Sequence, residues 1–460
     1  MSAVSTAALA DIHEADAFED NEDQHNSDVE HEKADIKRSW QRWWSTYTIR
    51  TCSKIRQTRA LNKDPLTEQT DKKKLGLRIL QIIGGRLLAI SVFVAVLAAL
   101  MVPLQNSVGI ETFNFGTMSF NWKTNPRESL VPFDSSFNDY NILLDGHAHT
   151  TVSDGRLSPE QLVDYSIAQG CNAVIVTDHN TVRGGLRAEQ YAKAKYPGQF
   201  VVIPGMEYSN CRIHMNFINI NSTVKAGNKE FPSDEDMQLA IDHVHELGGL
   251  VIVNHIPWSN RTLERLGMPR LLNHPSIESL ISWGVDGFEI INQATFDLPT
   301  FQHIQARNSS SGRPLILITG SDVHKPNTAF AWTVLRTESL SKEAIMEEIQ
   351  NARTSFLFDP TGNRAQIIPG YSSRYLALAP LIELADYFST FYDRYSGQYS
   401  FHGTHCQRDI VDFHSLSVGC FVVYLVAGVL LFELVYQMLG LAASFVKQRI
   451  KQRGIPASHT

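Results

Sequence analysis

The 460-residue chain has no basic excess: 41 lysines and arginines stand against 48 aspartates and glutamates, for a net charge of −7. A broad nucleic-acid-binding surface is therefore not expected. Cysteine is also scarce. The five cysteines, at 52, 171, 211, 406 and 420, form neither a CxxC pair nor a dense framework, so they do not define the fold. Large apolar residues nearly vanish between Asp11 and Asp35, where Asp and Glu dominate. Such a segment cannot bury enough surface to offset its ordering entropy, and residues 1–36 read as an acidic disordered tail. Charge, in turn, is missing from Leu87 to Leu104, a run about as long as a helix needs to cross a hydrocarbon core.

This uncharged run lies too far from the N-terminus for a cleaved signal peptide, so residues 87–104 are expected to be a retained anchor. A second apolar run covers 416–446 and is interrupted by Glu433, a carboxylate that needs an interface or a partner. Lys72, Lys73, Lys74, Arg78 and Arg86 precede the first run, and Lys447, Arg449, Lys451 and Arg453 follow the second. By the positive-inside rule both termini are cytoplasmic and the intervening region is luminal or extracellular. The expected organisation is a basic juxtamembrane segment (37–86), a first span (87–104), a linker (105–138), a catalytic domain (139–360), a second linker (361–415), a second span (416–446) and a basic tail (447–460). Three sequons, at Asn221, Asn260 and Asn308, agree with a glycoprotein. Trp40, Trp43 and Trp44 among arginines suit either an interfacial helix or a solvated linker. An oxidising lumen would let Cys211 or Cys406 enter a disulfide, with one thiol of the central region left over.

From Asn141 to about Pro360, apolar runs such as NAVIVTD, LVIVNH and LILITGS alternate with helical stretches. Ser158-Pro-Glu, Ser233 with Asp236, and Ser341 are helix starts, while Gly170 and Gly248-Gly249 are stops. Near-continuous apolar strands between helices point to an α/β barrel of parallel strands. His147, His149, His179, Glu207, His255, Asp322 and His324 all fall at strand carboxyl ends, which in such a barrel share one face. His-x-His and Asp-x-His turn both ligand residues the same way. Imidazole with carboxylate suits zinc, manganese or iron. With Asp154 and His214 the set reaches nine residues, more than one tetrahedral ion uses, so two or three divalent ions are expected.

The runs DGHAHTTVSDG, TDHNT, PGMEYS, His214, NHIP and SDVH, in this order, resemble the PHP (polymerase and histidinol phosphatase) domain family over about residues 141–330. The resemblance implies a distorted (β/α)7 barrel, here flanked by two transmembrane helices, and a trinuclear site. On that reading His147, His149, Glu207 and Asp322 hold one ion. Glu207, His214 and His255 hold a second, and Asp154, His179 and His324 a third. It departs from most family members in its two apparent anchors.

The chemistry expected of such a site is hydrolysis of a phosphate mono- or diester by a metal-activated hydroxide. Anchoring makes a membrane-borne phosphate ester an attractive substrate. Asp178 is a candidate proton relay, and Arg183 and Lys325 are candidates to bind phosphate oxygens, with Arg212 weaker. His243 and His245 read as surface histidines, and HGTHC at 402–406 as a loop with some capacity for an ion. Two alternatives stand: a non-catalytic scaffold stabilised by metals, and a hydrolase of a non-phosphate bond.

Overall fold

A computed structural model describes residues 65–107, 111–263, 266–310, 313–362 and 369–452. The acidic tail, the Trp40–Trp44 segment and the end of the basic tail lie outside these residues. The chain divides into two units, Met1–Ile90 with Gly428–Thr460, and Ser91–Ala427.

The larger unit is organised by one mixed sheet. Its strands are β1 (Ile142–Ala148), β2 (Ala173–Val176), β3 (Val201–Ser209), β4 (His214–Ile218) and β5 (Leu250–Val253). After a two-residue pair, β6 (Thr262–Leu263) and β7 (Met268–Pro269), come β8 (Gly287–Asn292), β9 (Thr295–Phe296), β10 (Ile316–Gly320), β11 (Ala331–Leu335) and β12 (Ser355–Phe358). The spatial order is β10-β8-β5-β4-β3-β2-β1-β11-β12, with β9 against β8.

The expectation of an all-parallel barrel needs correction here. β1–β2, β2–β3, β5–β8 and β8–β10 are parallel, but β3–β4, β4–β5, β1–β11 and β11–β12 are antiparallel. The physical reason is visible between β3 and β4. Asn210 accepts from the backbone N–H groups of Arg212 and Ile213, at 2.8 and 3.0 Å, and so folds a short reversing turn. So short a connection joins only antiparallel neighbours. The sheet curls strongly, and β10 returns toward β11 through side chains rather than a ladder. Thr319 N donates to Thr333 Oγ1 at 2.8 Å, and Thr354 Oγ1 donates to Leu317 O at 2.7 Å.

Inside the curl, Ile142, Leu144, Ile175, Ile203, Ile218, Ile252 and Ile318 form one core, which Ile345 and Ile349 of the helix Lys342–Gln350 complete. Outside it, Leu143, Val174, Val176 and Ala148 pack on the helix Pro159–Ala168. The anticipated helix starts are present. Ser158 with Gln161 and Ser233 with Asp236 form capping boxes, and Ser341 caps the third helix. Each cap contributes about 1 kcal/mol. Gly170 and Gly248 take φ of 87° and 75°, as helix-ending residues in the left-handed region do.

Both segments expected to be linkers carry structure. Thr124 N bonds Ala168 O at 2.8 Å, and Phe113 bridges Tyr371. A helix covers Ser373–Ser389, followed by the pair β13 (Tyr392–Tyr395) and β14 (Ile410–Phe413).

Two helices, Pro65–Ser107 and Ser415–Gln452, contain stretches long and apolar enough to cross a membrane: Gly76–Pro103, with 28 residues and hydropathy 2.4, and Ser415–Ile450, with 36 residues and hydropathy 2.5. Within the smaller unit Glu433 meets its partner, Arg86, with which it forms an ion pair. Gln437 donates to the other oxygen of Glu433 at 2.6 Å, and the Arg86 guanidinium lies 5.5 Å from the rings of Phe432 and Tyr436.

Candidate metal centre

His147 and His149 face the inside of the curl because of a bulge. On β1, Ile142 and Leu144 belong to the inner core and Leu143 to the outer one, so strict alternation would turn 147 and 149 outward. The register shift between Asp145 and Ala148 reverses this, leaving Ala148 in the outer core and both imidazoles inside. Gly146 is required there: a Cβ would stand 2.6 Å from Thr319 O. Asp145 holds the bulge to the next ligand turn, accepting from Ser321 N at 2.9 Å and Ser321 Oγ at 2.6 Å. Burial pushes the Asp145 carboxyl up to about 6.

On β3 no bulge is needed, since Glu207 has the same parity as the inner Ile203. His214 starts β4, and because β4 is antiparallel to β3 its first residue lies at the end of the sheet where Glu207 lies. His255 and Asp322 adopt φ of 25° and 48°, a strained backbone for residues with side chains and one often found at functional sites.

Three groupings result. His147 Nε2 lies 3.0 Å from His149 Nε2, 3.6 Å from Glu207 Oε1 and 3.5 Å from Asp322 Oδ1; His149 Nε2 lies 3.2 Å from Asp322 Oδ1. Glu207 Oε1 is 3.2 Å from His214 Nδ1 and 3.1 Å from His255 Nε2. Asp154 Oδ1 is 3.2 Å from His324 Nε2 and 3.5 Å from His179 Nε2. All nine candidate ligands thus meet in one cluster, with Glu207 touching two groupings and its Oε2 2.8 Å from His179 Nδ1.

Electrostatics reflect the crowding. Burial would raise the Glu207 carboxyl, but His214, His179 and His147 outweigh it and hold it well below the usual range. Burial would likewise raise Asp322, yet His147 and His149 pull it strongly down. His324 is lifted to about 9 against its burial by Asp154, whereas burial takes His179 down to about 4.

The residues fit divalent cations. His149 Nδ1, His214 Nε2 and His255 Nδ1 are buried without a hydrogen-bond partner, and polar atoms so placed are normally satisfied. Two imidazole nitrogens at 3.0 Å need a shared proton or a cation between them. The nitrogen and carboxylate donor set suits zinc, manganese or iron without selecting one.

The other sequence candidates fall elsewhere. Asp178 is fully buried and accepts from Thr150 N at 2.8 Å and from Ser153 Oγ at 2.8 Å, which fixes the turn that carries Asp154. Arg183 and Lys325 are exposed, with no side-chain partner among the described residues. Arg212 is tied to Asp234 and to the carbonyl of Asn273. His243 pairs with Glu246 at the surface, and half-buried His245 pairs with the buried Asp286. Cys406 is joined to Cys211 in a disulfide, so HGTHC offers no thiolate to an ion; Cys171 is buried and free. Asn221 and Asn260 are exposed, but the side-chain amide of Asn308 donates to Leu315 O at 2.9 Å.

Sequence reasoning missed Glu289, which is 2% exposed. It accepts from His147 Nδ1 at 3.1 Å and from His255 N at 3.0 Å, orienting two ligands at once. Its signal was available: a carboxylate in the middle of the apolar strand GFEIIN. Asn254, which donates to Glu207 Oε1 at 2.8 Å, had no such signal.

No protein-family model matches the chain. It is 33% identical over 87 residues to the 5'-3' exoribonuclease Rnm of Salmonella typhimurium, covering 18% of this chain and 29% of that protein. It is 34% identical over 90 residues to the Escherichia coli protein of the same name, covering 18% and 30%, and 49% identical over 49 residues to a 5'-3' exoribonuclease of Haemophilus influenzae, covering 11% and 18%. The chain therefore spans under a third of the length of these curated relatives. Similar solved structures include a two-domain Bacteroides vulgatus protein described as containing a PHP-like metal-dependent phosphoesterase, at 19% identity, 64% and 78% coverage and a TM-score of 0.37. A protein of Bifidobacterium adolescentis described as a metal-dependent phosphoesterase aligns at 18% identity, 45% and 94% coverage and a TM-score of 0.33. An amidohydrolase of Chromobacterium violaceum aligns at 17% identity, 47% and 98% coverage and a TM-score of 0.32.

Proposed function

We propose that this chain is a metal-dependent phosphoesterase of the PHP type, anchored by two membrane spans with its catalytic domain (139–360) on the luminal or extracellular side. The observation that carries the reading is the meeting of eight other imidazoles and carboxylates around Glu207, with buried imidazole nitrogens left unpartnered. His147, His149, Glu207 and Asp322 would hold one ion, Glu207, His214 and His255 a second, and Asp154, His179 and His324 a third. Bound there, divalent ions supply a nucleophile at neutral pH and neutralise charge on a phosphoryl group.

The chain's own residues prepare this chemistry. Glu289 fixes the His147 ring so that Nε2 faces the cavity. Asp178 holds the Thr150–Ser153 turn and through it Asp154, a positioning role rather than the proton relay the sequence suggested. Arg183 and Lys325, exposed and unpartnered among the described residues, remain available to phosphate oxygens. The topology is supported by the two apolar helices, by the basic residues that flank them, and by the Cys211–Cys406 disulfide, a bond that persists in oxidising compartments.

The test is metal analysis of the full chain in detergent, with an assay of phosphomonoesters and phosphodiesters in manganese, zinc or iron. Loss of activity in both His149→Ala and Asp322→Ala supports the reading. Full metal loading with no hydrolysis would favour a scaffold, and fewer than two ions per chain would remove the multinuclear assignment. Digestion of the central region by protease added to sealed vesicles, with both tails spared, would overturn the topology. The names of the curated relatives favour a second reading, cleavage at RNA 5′ ends, so a 5′-phosphorylated oligoribonucleotide belongs in the panel.

A further inference from the structure

Between β13 and β14 the chain makes a hairpin that the metal cavity does not require for its ligands. Ser400 N bonds Thr404 O at 3.0 Å, and Cys406 N bonds Gln398 O at 2.8 Å. At its tip Phe401 and Gly403 take φ of 59° and 97°. A non-glycine residue in this region is strained by on the order of 1 kcal/mol or more, so the surroundings must hold it there. Three anchors do so. Cys406 is joined to Cys211 across 195 residues of sequence, Gln407 Nε2 donates to Pro269 O at 2.8 Å, and the Thr404 hydroxyl bonds Glu230.

These anchors deliver Phe401 to the ligands. Its ring stacks on His179, with centroids 3.6 Å apart and planes 23° apart, and lies 6.4 Å from the His214 ring. Trp258 continues the wall, 5.3 Å from His214 and 4.8 Å from His255. The side chains on this edge are closed off, His179 at 5% and His214 at 2% exposed, whereas Asp154 and His324 are 41% and 36% exposed. Among the described residues the cluster is thus exposed at Asp154 and His324 and covered at their neighbour His179, 3.5 Å from Asp154, and at His214 beyond it. Phe401 belongs to none of the hydrophobic clusters of the barrel, so its placement there is not explained by core packing.

Resting on the phosphoesterase reading, we propose that Phe401, carried by a disulfide-tethered hairpin, determines substrate class by admitting a phosphate at the end of a molecule and excluding one esterified on two sides. A monoester has one arm, which leaves along the Asp154–His324 edge. A diester has a second arm, and that arm meets the ring of Phe401. Discrimination of this kind is steric and is removed with the ring.

The experiment compares p-nitrophenyl phosphate with bis(p-nitrophenyl) phosphate, which share a leaving group, on the full chain in detergent with manganese. The native chain prefers the monoester. Phe401→Ala raises the diester-to-monoester ratio of kcat/KM by about tenfold. Joint Cys211→Ser and Cys406→Ser substitution raises it in the same direction; should that variant fail to fold, Phe401→Ala decides alone. A native preference for the diester, or an unchanged ratio in Phe401→Ala, overturns the proposal. If the native chain hydrolyses neither ester, the phosphoesterase reading fails and the covering role is judged separately. Metal-free protein is then treated with diethyl pyrocarbonate, and His179 modification is measured by peptide mass spectrometry against the exposed His243. Phe401→Ala speeds modification of His179 severalfold if the ring covers it, and an unchanged rate overturns that too.

Discussion

Charge is withdrawn from water in two regions of this molecule, and the two reach neutrality by different routes. Between the long helices one arginine meets one carboxylate, Gln437 takes the second carboxylate oxygen, and two aromatic rings flank the guanidinium. That group satisfies itself. In the ligand cluster His147, His149 and Glu207 are each at most 1% exposed, yet buried nitrogens of His149, His214 and His255 remain without partners. A buried polar group left unpaired is costly, so the cluster is suited to divalent cations, whereas the helix pair is complete in itself.

The largest effect that could break this contrast is expected from Glu207→Gln. It takes a charged oxygen from two ligand groupings, and metal content and hydrolysis should both fall to background; retention of either would show that the cavity, like the helix pair, is self-sufficient. Next comes Glu433→Leu, which strands Arg86 and should cost about 3–5 kcal/mol. This reads out as lower abundance and a lower thermal midpoint in detergent. Joint Arg86→Leu and Glu433→Leu substitution should recover most of the loss, and a double variant as unstable as the single one would show that the pair is not a closed unit. Glu289→Gln weakens its acceptor on His147 without changing the side chain's shape, and metal affinity should drop roughly tenfold to a hundredfold. Competition with a chelator measures it.

The smallest effect is a proton count. His147, His255 and His324 are shifted upward by neighbouring carboxylates despite their burial, and His147, well above its ordinary range, and His324, at about 9, hold protons at pH 7 in the metal-free chain. A cation must displace those protons, so affinity should climb as pH rises toward 9, and calorimetry in buffers of different ionisation enthalpy should show proton release at pH 7. Uptake, or no pH dependence, would contradict the arrangement. His179, lowered by burial to about 4, should contribute no proton at that pH.

The candidate ligand residues were legible as a group because histidine and carboxylate at the end of an apolar run break the pattern around them, and the repeats His-x-His and Asp-x-His state a direction. The helix starts at Ser158, Ser233 and Ser341 were legible because capping is local. Glu289 was legible in principle, as the carboxylate inside GFEIIN. Asn254 was not, since a neutral amide next to a ligand looks like any loop residue. Cys211 and Cys406, the two cysteines offered for a disulfide, are the two that pair, although spacing alone carries no information about which of the three central cysteines meet.

The sequence by itself determined the chemistry of the donors, the apolar character of the two long helices and the local signals that start and stop the elements, because each depends on side-chain type and on neighbours a few residues away. Only the tertiary structure decided the direction of β4, the bulge at Gly146 that turns His147 and His149 inward, the meeting of Arg86 with Glu433, and the position of Phe401 over His179. Each of these depends on contacts between residues far apart in the chain. Strand parity, ion pairing and ring stacking are settled by what a residue meets once the sheet has curled, which no local pattern encodes.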